Sequence, residues 1–494
     1  MNLSRKKLFL SGLLALSMSA FAEGPKYIFY FIGDGMGAAQ RQISEEYKKG
    51  VMNKDGKLLM NSLPFSAITT TYSADTLITD SAAAGTALAT GHKTNNGVIS
   101  KTPEGKNLKT LLEIAQEQGR ATGLVTTTRI THATPAVFAS HNMDRDDENG
   151  IAEDYVKSNV DYFAGGGYRH FAGKDSGLSS KRKDSRDLVQ EFEDKGYKTF
   201  VGKDSGKEFK KWKPKAGEKV FAAMEASHMP YEIDRNKKTT PSLKEMTDKG
   251  IELLKNDEDG FFMMVEGGRI DHASHANDVM GTIYDTIAFD DAIKSAYDFY
   301  RQHPKDTLIV VAADHETGGM GLGFGANYFL KLDELKNVKV SVEDVLQKAY
   351  TGDRDAFFKY IGKNMGLSKL TDSEKSAILK AMDLQDKNKN ASELFGGYSP
   401  VAIAVTHIIS ERSGMMWTSY AHTAVQVPLA AVGKDAQLFI GFKDNTDVAK
   451  LLLNQWEKIL NSLAWYCEKN RNNSYCSNIP CPSDFYREIR RVFL

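Results

Sequence analysis

The stretch KYIFYFIGDGMG, residues 26–37, decides the fold reading. An unbroken apolar and aromatic run, Tyr27 to Ile32, feeds directly into a turn made of Gly33, Asp34 and Gly35. A strand with one wet face alternates apolar and polar residues; one without alternation is buried on both faces. The same form recurs in ATGLVTTTRITHATP (121–135), read as a strand broken by Pro135, in GFFMMVEGGRIDHASH (260–275) and in DTLIVVAADHETGG (306–319). VPLAAVG (427–433) is a further short strand. Helical patterns lie between them, as in LKTLLEIAQEQG (108–119) and GTIYDTIAFDDAIKSAYDFY (281–300). Strands alternating with helices predict an α/β fold with a mainly parallel central sheet and helices on both faces. Ligands of such sheets gather beyond the carboxyl ends of the strands. Asp34, Glu266, Asp314 and His315 each stand just past an apolar strand, at that edge.

Two regions are less regular. Residues 170–240 carry KRKDSRD and KKWKPKAGEK and read as a solvated surface excursion. Residues 320–412, with SEKSAILKAMDL, read as an insertion over the core. Lys plus Arg and Asp plus Glu both count 64, so no net charge asks for a nucleic-acid partner or an anionic membrane.

The termini predict more. Arg5, Lys6 and Lys7 precede the apolar run LFLSGLLALSMSA, and AFA at 20–22 supplies small residues for cleavage. This is the pattern of a signal peptide over 1–22, cut after Ala22. The run is short for a membrane anchor, so an exported protein, periplasmic or secreted, is expected. Cys467, Cys476 and Cys481 all lie near the end, and no disulfide can staple residues 23–466. At most one bridge can form within the 451–494 extension, which is expected to be loosely attached from about Cys467 onward.

The chemistry-bearing residues cluster. DHASH sets Asp271 and His275 four apart, on one face of a helical turn. ADHETGG sets Asp314 beside His315, and YAHTAVQVPL offers His422 just before a strand. Asp and His together suit a divalent transition metal, zinc above all. ITDSAAAGTALATG (78–91) adds Ser81 behind Asp80 and ahead of residues with almost no side chain. Alone, that string describes a capped, closely packed helix. Together with the other blocks it resembles the nucleophile signature of the alkaline phosphatases, matching from Ile78 through Asp80, Ser81, Ala82, Ala83, Ala84 and Gly85 to Thr86. The resemblance runs from about Lys26 to about Lys450, with the metal-binding blocks in the family's order, and marks 23–450 as the catalytic domain.

What the resemblance implies is specific. Ser81 would be the nucleophile, and small neighbours would let the positive helix N-terminus approach an anion. A first zinc would be held by Asp271, His275 and His422. A second would take Asp34, Asp314 and His315, with Ser81 as its fourth ligand. A third position, magnesium in most of the family, would use Asp34 again with Thr134 and Glu266. Arg145, at the family's spacing in HATPAVFASHNMDR, would clamp phosphate through its planar fork. His132 and His272 fall beside the metal positions, where family members vary, and put the identity of the third metal in question.

The function implied is hydrolysis of phosphate monoesters through a phosphoserine, with a homodimer compatible because many relatives form one. A phosphodiesterase or sulfatase on the same metal scaffold is the enzyme alternative. Against it, Ser81 is followed by alanines rather than x-Pro-x-Arg, and related diesterases commonly use Thr. A non-catalytic phosphate-binding protein would require a missing ligand or nucleophile, and none is missing.

Overall fold

The computed structural model describes residues 24–52, 56–388 and 390–455. The expected signal peptide, the three cysteines and most of the expected C-terminal extension lie outside these residues. Among the described residues no helix is long and apolar enough to cross a membrane.

Twelve strands are β1 (Tyr27–Gly33), β2 (Phe65–Thr69), β3 (Ala121–Arg129), β4 (Tyr162–Gly166), β5 (Tyr197–Val201), β6 (Lys219–Ala223), β7 (Phe261–Glu266), β8 (Thr307–Ala313), β9 (Glu316–Thr317), β10 (His422–Thr423), β11 (Val427–Gly433) and β12 (Gly441–Lys443). Ten form one sheet in the order β12-β2-β11-β8-β1-β7-β3-β4-β6-β5, and β9 pairs with β10 in a separate ribbon. Every pairing in the large sheet is parallel except the two made by β11. The α/β reading therefore stands, with a mainly parallel sheet.

The lack of alternation in the central strands has its cause in two cores. Phe29 and Phe31 of β1 join Met263 and Val265 of β7 on one face. Ile28, Tyr30 and Ile32 join Phe262 and Met264 on the other. The long Val279–Gln302 helix covers the first face; the Ser81–Thr90 and Ala133–Ala139 helices cover the second.

Two local readings are corrected and one is completed. Pro135 does not break β3, which ends at Arg129; it sits in the first turn of the Ala133–Ala139 helix, where its missing N–H costs nothing. VPLAAVG is the strand expected, and its direction, antiparallel to both neighbours, is what the sequence left open. Residues 170–240 are more than a surface excursion, because β5 and β6 extend the sheet there. Their charged flanks hide short apolar cores such as VFAA, which is buried throughout. Residues 320–412 hold helices Arg354–Asn364 and Asp372–Lys387 and most of Pro400–Ser413, between β9 and β10.

Candidate metal centre

The carboxyl ends of β8, β1, β7 and β3, neighbours in that order, bring the polar residues of the sequence blocks together. Asp34 follows β1, Glu266 ends β7, and Asp314 with His315 follows β8. Gly35 makes the turn after Asp34 with φ +67°, and a Cβ there would stand 2.8 Å from the Asp271 Cα. Only glycine fits both the angle and the space.

Ser81 arrives from the second face. Asp80 is the N-cap of the Ser81–Thr90 helix, its Oδ1 accepting from the Ala83 N–H at 2.9 Å. Its Oδ2 accepts from the Gly97 N–H at 2.9 Å and from Arg145 Nη1 at 3.0 Å. The helix is buried along its whole length. At Gly85 a Cβ would lie 3.1 Å from Val137 Cγ2, so the small residues let this helix pack closely on the one carrying Thr134. Ser81 is 1% exposed, with Oγ 3.1 Å from His315 Nε2.

Three groups of ligand-type atoms result, each within 4.8 Å of one another: Asp271, His275 and His422; Asp34, Asp314 and His315; and Asp34, His132 and Glu266. Asp34 belongs to two of them. In the first, His275 Nδ1 faces the Tyr420 carbonyl at 2.6 Å and His422 Nδ1 faces the Thr79 carbonyl at 2.7 Å. A carbonyl only accepts, so both Nδ1 atoms carry protons. The two Nε2 atoms then meet at 3.1 Å, with Asp271 Oδ1 at 3.3 and 3.5 Å. Two imidazole nitrogens and a carboxylate oxygen converging on one point suit a cation, a metal ion or, in its absence, a proton on His275.

In the second group, Asp314 Oδ1 accepts from the N–H groups of Gly35 and His315, at 3.1 and 2.9 Å. Its Oδ2 turns toward His315 Nε2 at 3.3 Å, and Asp34 Oδ1 lies 3.4 Å from the same nitrogen. In the third, Thr134 Oγ1 donates to Asp34 Oδ2 at 3.2 Å, while Thr126 and Thr128 donate to Glu266 Oε2.

The donor set fits metal ions on one observation of this structure. Asp34 Oδ1, Asp314 Oδ2, Glu266 Oε1 and His132 Nδ1 are buried without a hydrogen-bond partner. Such orphaned polar atoms are costly unless something positive or donating meets them. Burial, then the neighbouring carboxylates Asp314 and Asp271, pushes the Asp34 carboxyl well up. Burial does the same to Asp314 and Glu266. Burial and the facing His422 keep His315 well below the usual imidazole range, hence neutral and able to ligate. Against its own burial, Asp271 raises His275 to about 9.

A family model described as alkaline phosphatase matches residues 25–457. The chain belongs to the alkaline phosphatase family. It is 35% identical over 436 residues to alkaline phosphatase 3 of Bacillus subtilis, covering 86% of this chain and 87% of that one. The alkaline phosphatase of Thermus thermophilus superposes with a TM-score of 0.76 at 30% identity, covering 87% of this chain and 91% of that structure. A variant of the TAB5 alkaline phosphatase, described with Mg bound in its M3 site, matches at 25% identity and TM-score 0.63, covering 88% and 99%.

This alkaline phosphatase holds further residues at the site that the sequence reading missed. Thr317 donates to Asp271 Oδ1 at 2.5 Å and lies 3.2 Å from His315 Nδ1, tying the first group to the second. Arg269, 1% exposed, meets His272 Nδ1 at 3.0 Å, Glu343 at 3.1 Å and Asp344 at 2.8 Å. Glu343 and Asp344 come from the 320–412 region between β9 and β10, so Arg269 ties that region to the helix bearing Asp271 and His275. His228 packs its ring 4.4 Å from that of His272. His132, expected beside the metal positions, has a ring nitrogen inside the third group itself. The TGG of ADHETGG was the available signal for Thr317; nothing local announced His228.

Proposed function

We propose that this alkaline phosphatase is an exported phosphomonoesterase, periplasmic or secreted, that works through a phosphoserine on Ser81. The observation that carries the reading is Ser81 Oγ at a helix N-terminus, 3.1 Å from His315 Nε2, which also faces the orphaned oxygens of Asp34 and Asp314. Asp271, His275 and His422 would hold one zinc; Asp34, Asp314 and His315, with Ser81, a second; Asp34, Thr134 and Glu266 a magnesium. When bound, the metals supply Lewis acidity to the serine, the leaving oxygen and the attacking water. The TAB5 protein described with magnesium in its M3 site is a His-to-Asp variant; here His132 brings a nitrogen to the third position, which makes a softer ion the alternative to magnesium there.

The chain's own groups do the rest. Ser81 Oγ forms the bond to phosphorus as the ester oxygen departs with its alcohol. The guanidinium of Arg145, held by Asp80, presents a fork to two non-bridging oxygens. The N–H groups opening the Ser81–Thr90 helix favour the added negative charge. Water then displaces Ser81, releasing inorganic phosphate. A homodimer belongs to the same reading, supported by exposed Ile68 and Phe442, paired across β2 and β12, with exposed Ile440 alongside; light scattering tests it.

Steady-state hydrolysis of a monoester, a diester and a sulfate ester, before and after chelation, tests the function. The monoester is expected to be preferred by orders of magnitude. Preference for the diester or the sulfate would replace the reading with its enzyme alternative.

A further inference from the structure

The carboxyl edge of the sheet continues past the third metal group into a basic shelf. Arg129 ends β3, Arg169 follows its neighbour β4, and His228 follows β6, the next strand along. Arg129 Nε meets Glu148 Oε2 at 2.7 Å, and its Nη1 closes on His228 Nε2. Arg169 Nε meets His170 Nε2 at 3.0 Å, and that nitrogen lies 3.4 Å from the same Glu148 oxygen. Glu148 is the acid paired directly with Arg129, it reaches Arg169 by way of His170, and it also accepts from Thr131 at 2.6 Å.

The juxtaposition is built into the backbone. Gly167 has φ +97°, and a Cβ there would lie 2.8 Å from that of Arg129. At Gly166 a Cβ would fall 2.1 Å from the Ser227 carbonyl, so the segment carrying His228 is seated directly on the end of β4. Burial, then the charge of Arg129, lowers the Arg169 pKa, as expected for like charges held together. Both arginines are only partly buried and reach solvent. The shelf also adjoins the phosphate site: the His228 ring is 5.7 Å from that of His132, whose Nε2 is 3.4 Å from Arg145 Nη2.

We propose that Arg129, oriented by His228, and Arg169 bind a second anionic group on the leaving alcohol, so that the preferred substrates are organic phosphomonoesters carrying a second phosphate. Glu148 pairs with Arg129 and the His170 ring meets Arg169 Nε, so the two guanidiniums leave positive charge and N–H donors to spare, which a phosphate dianion satisfies bidentately. The inference rests on the phosphomonoesterase reading, and it concerns binding rather than the transfer step.

The test compares straight-chain diol bisphosphates of increasing length with the monophosphates of the same diols, at low and high salt. At the length that spans the two sites, the bisphosphate is expected to show at least about a tenfold higher kcat/KM, equivalent to ~1.4 kcal/mol, expressed in KM. High salt should shrink that advantage. Arg169→Gln should abolish it and leave monophosphate kinetics unchanged. Equal kcat/KM for both series in the unmodified enzyme would overturn the inference, as would an advantage that survives in a folded Arg169→Gln protein. The unmodified enzyme decides the matter if the variant does not fold. Hydrolysis of neither series would overturn the phosphomonoesterase reading itself.

Discussion

Arg145 donates to the Asp80 carboxylate at 3.0 Å, and the same carboxylate caps the helix that begins at Ser81. One acid thus anchors both the guanidinium proposed to hold phosphate and the start of the helix that carries the proposed nucleophile. The cap does not depend on Arg145, since Ala83 and Gly97 bind Asp80 by backbone N–H groups. Arg145→Ala should therefore fold and keep its metals while losing phosphate affinity. Each lost charge-assisted bond is worth about 1.5–3 kcal/mol, so the phosphate inhibition constant should rise at least about tenfold. An unchanged constant would remove Arg145 from the phosphate site.

Asp80→Ala should act differently. It deletes the cap as well as the anchor of Arg145, and loss of such a cap costs about 1 kcal/mol. Thermal denaturation should show a lowered Tm, which Arg145→Ala should largely lack. Equal melting temperatures for the two variants would mean that the cap contributes nothing.

Thr317→Val keeps the shape of the side chain but leaves Asp271 Oδ1 without its donor and separates the first two metal groups. Outer partners of this kind are worth roughly 10–100-fold in metal affinity or activity. Zinc content after dialysis, measured by mass spectrometry, should fall in the variant. Retention of both zinc ions at the unmodified level would assign Thr317 to packing alone.

Metal removal should make stability depend on pH in a defined direction. In the metal-free protein burial raises Asp314 and Glu266, and Asp271 raises His275 to about 9. Between ~6.5, the ordinary histidine value, and about 9 these groups then hold more protons in the folded state than in the unfolded chain. Stability falls with rising pH wherever the folded state binds more protons. His315 and His272, lowered by burial, act in the opposite sense until the unfolded chain's histidines have lost their protons, about one pH unit above 6.5, so the decline is read in the upper part of this window, up to about 9. The Tm of the chelated enzyme should thus decline across that upper part, while the gain from added zinc grows, because zinc competes with those protons. A flat profile in the chelated enzyme, with no zinc-dependent gain, would argue against these groups as ligands.

The sheet and most of the site were legible because the central strands are buried on both faces and end in charged residues. β1, β7 and β8 announce themselves as unbroken apolar runs, and the acids that follow them mark the edge where ligands collect. β5 and β6 were obscured, because peripheral strands are short and flanked by lysines. The direction of β11 was not legible either, since a seven-residue apolar strand reads the same in both orientations. At the site, Asp271 and His275 are one helical turn apart and therefore visible as a pair. Thr317, Arg269 and His228 act through contacts between distant elements, for which a single sequence carries no period. Pro135 misled for a local reason: proline ends strands, but it also starts helices, and only the packing against the Ser81 helix distinguishes the two.

The central claim is that Ser81 carries the phosphoryl group. Incubation with inorganic phosphate at mildly acid pH, acid quench and peptide mass spectrometry measure it directly. The expected result is a phosphorylated peptide containing Ser81, absent from a Ser81→Ala protein that still binds its metals. Phosphate on any other residue, or turnover undiminished in Ser81→Ala, would contradict it.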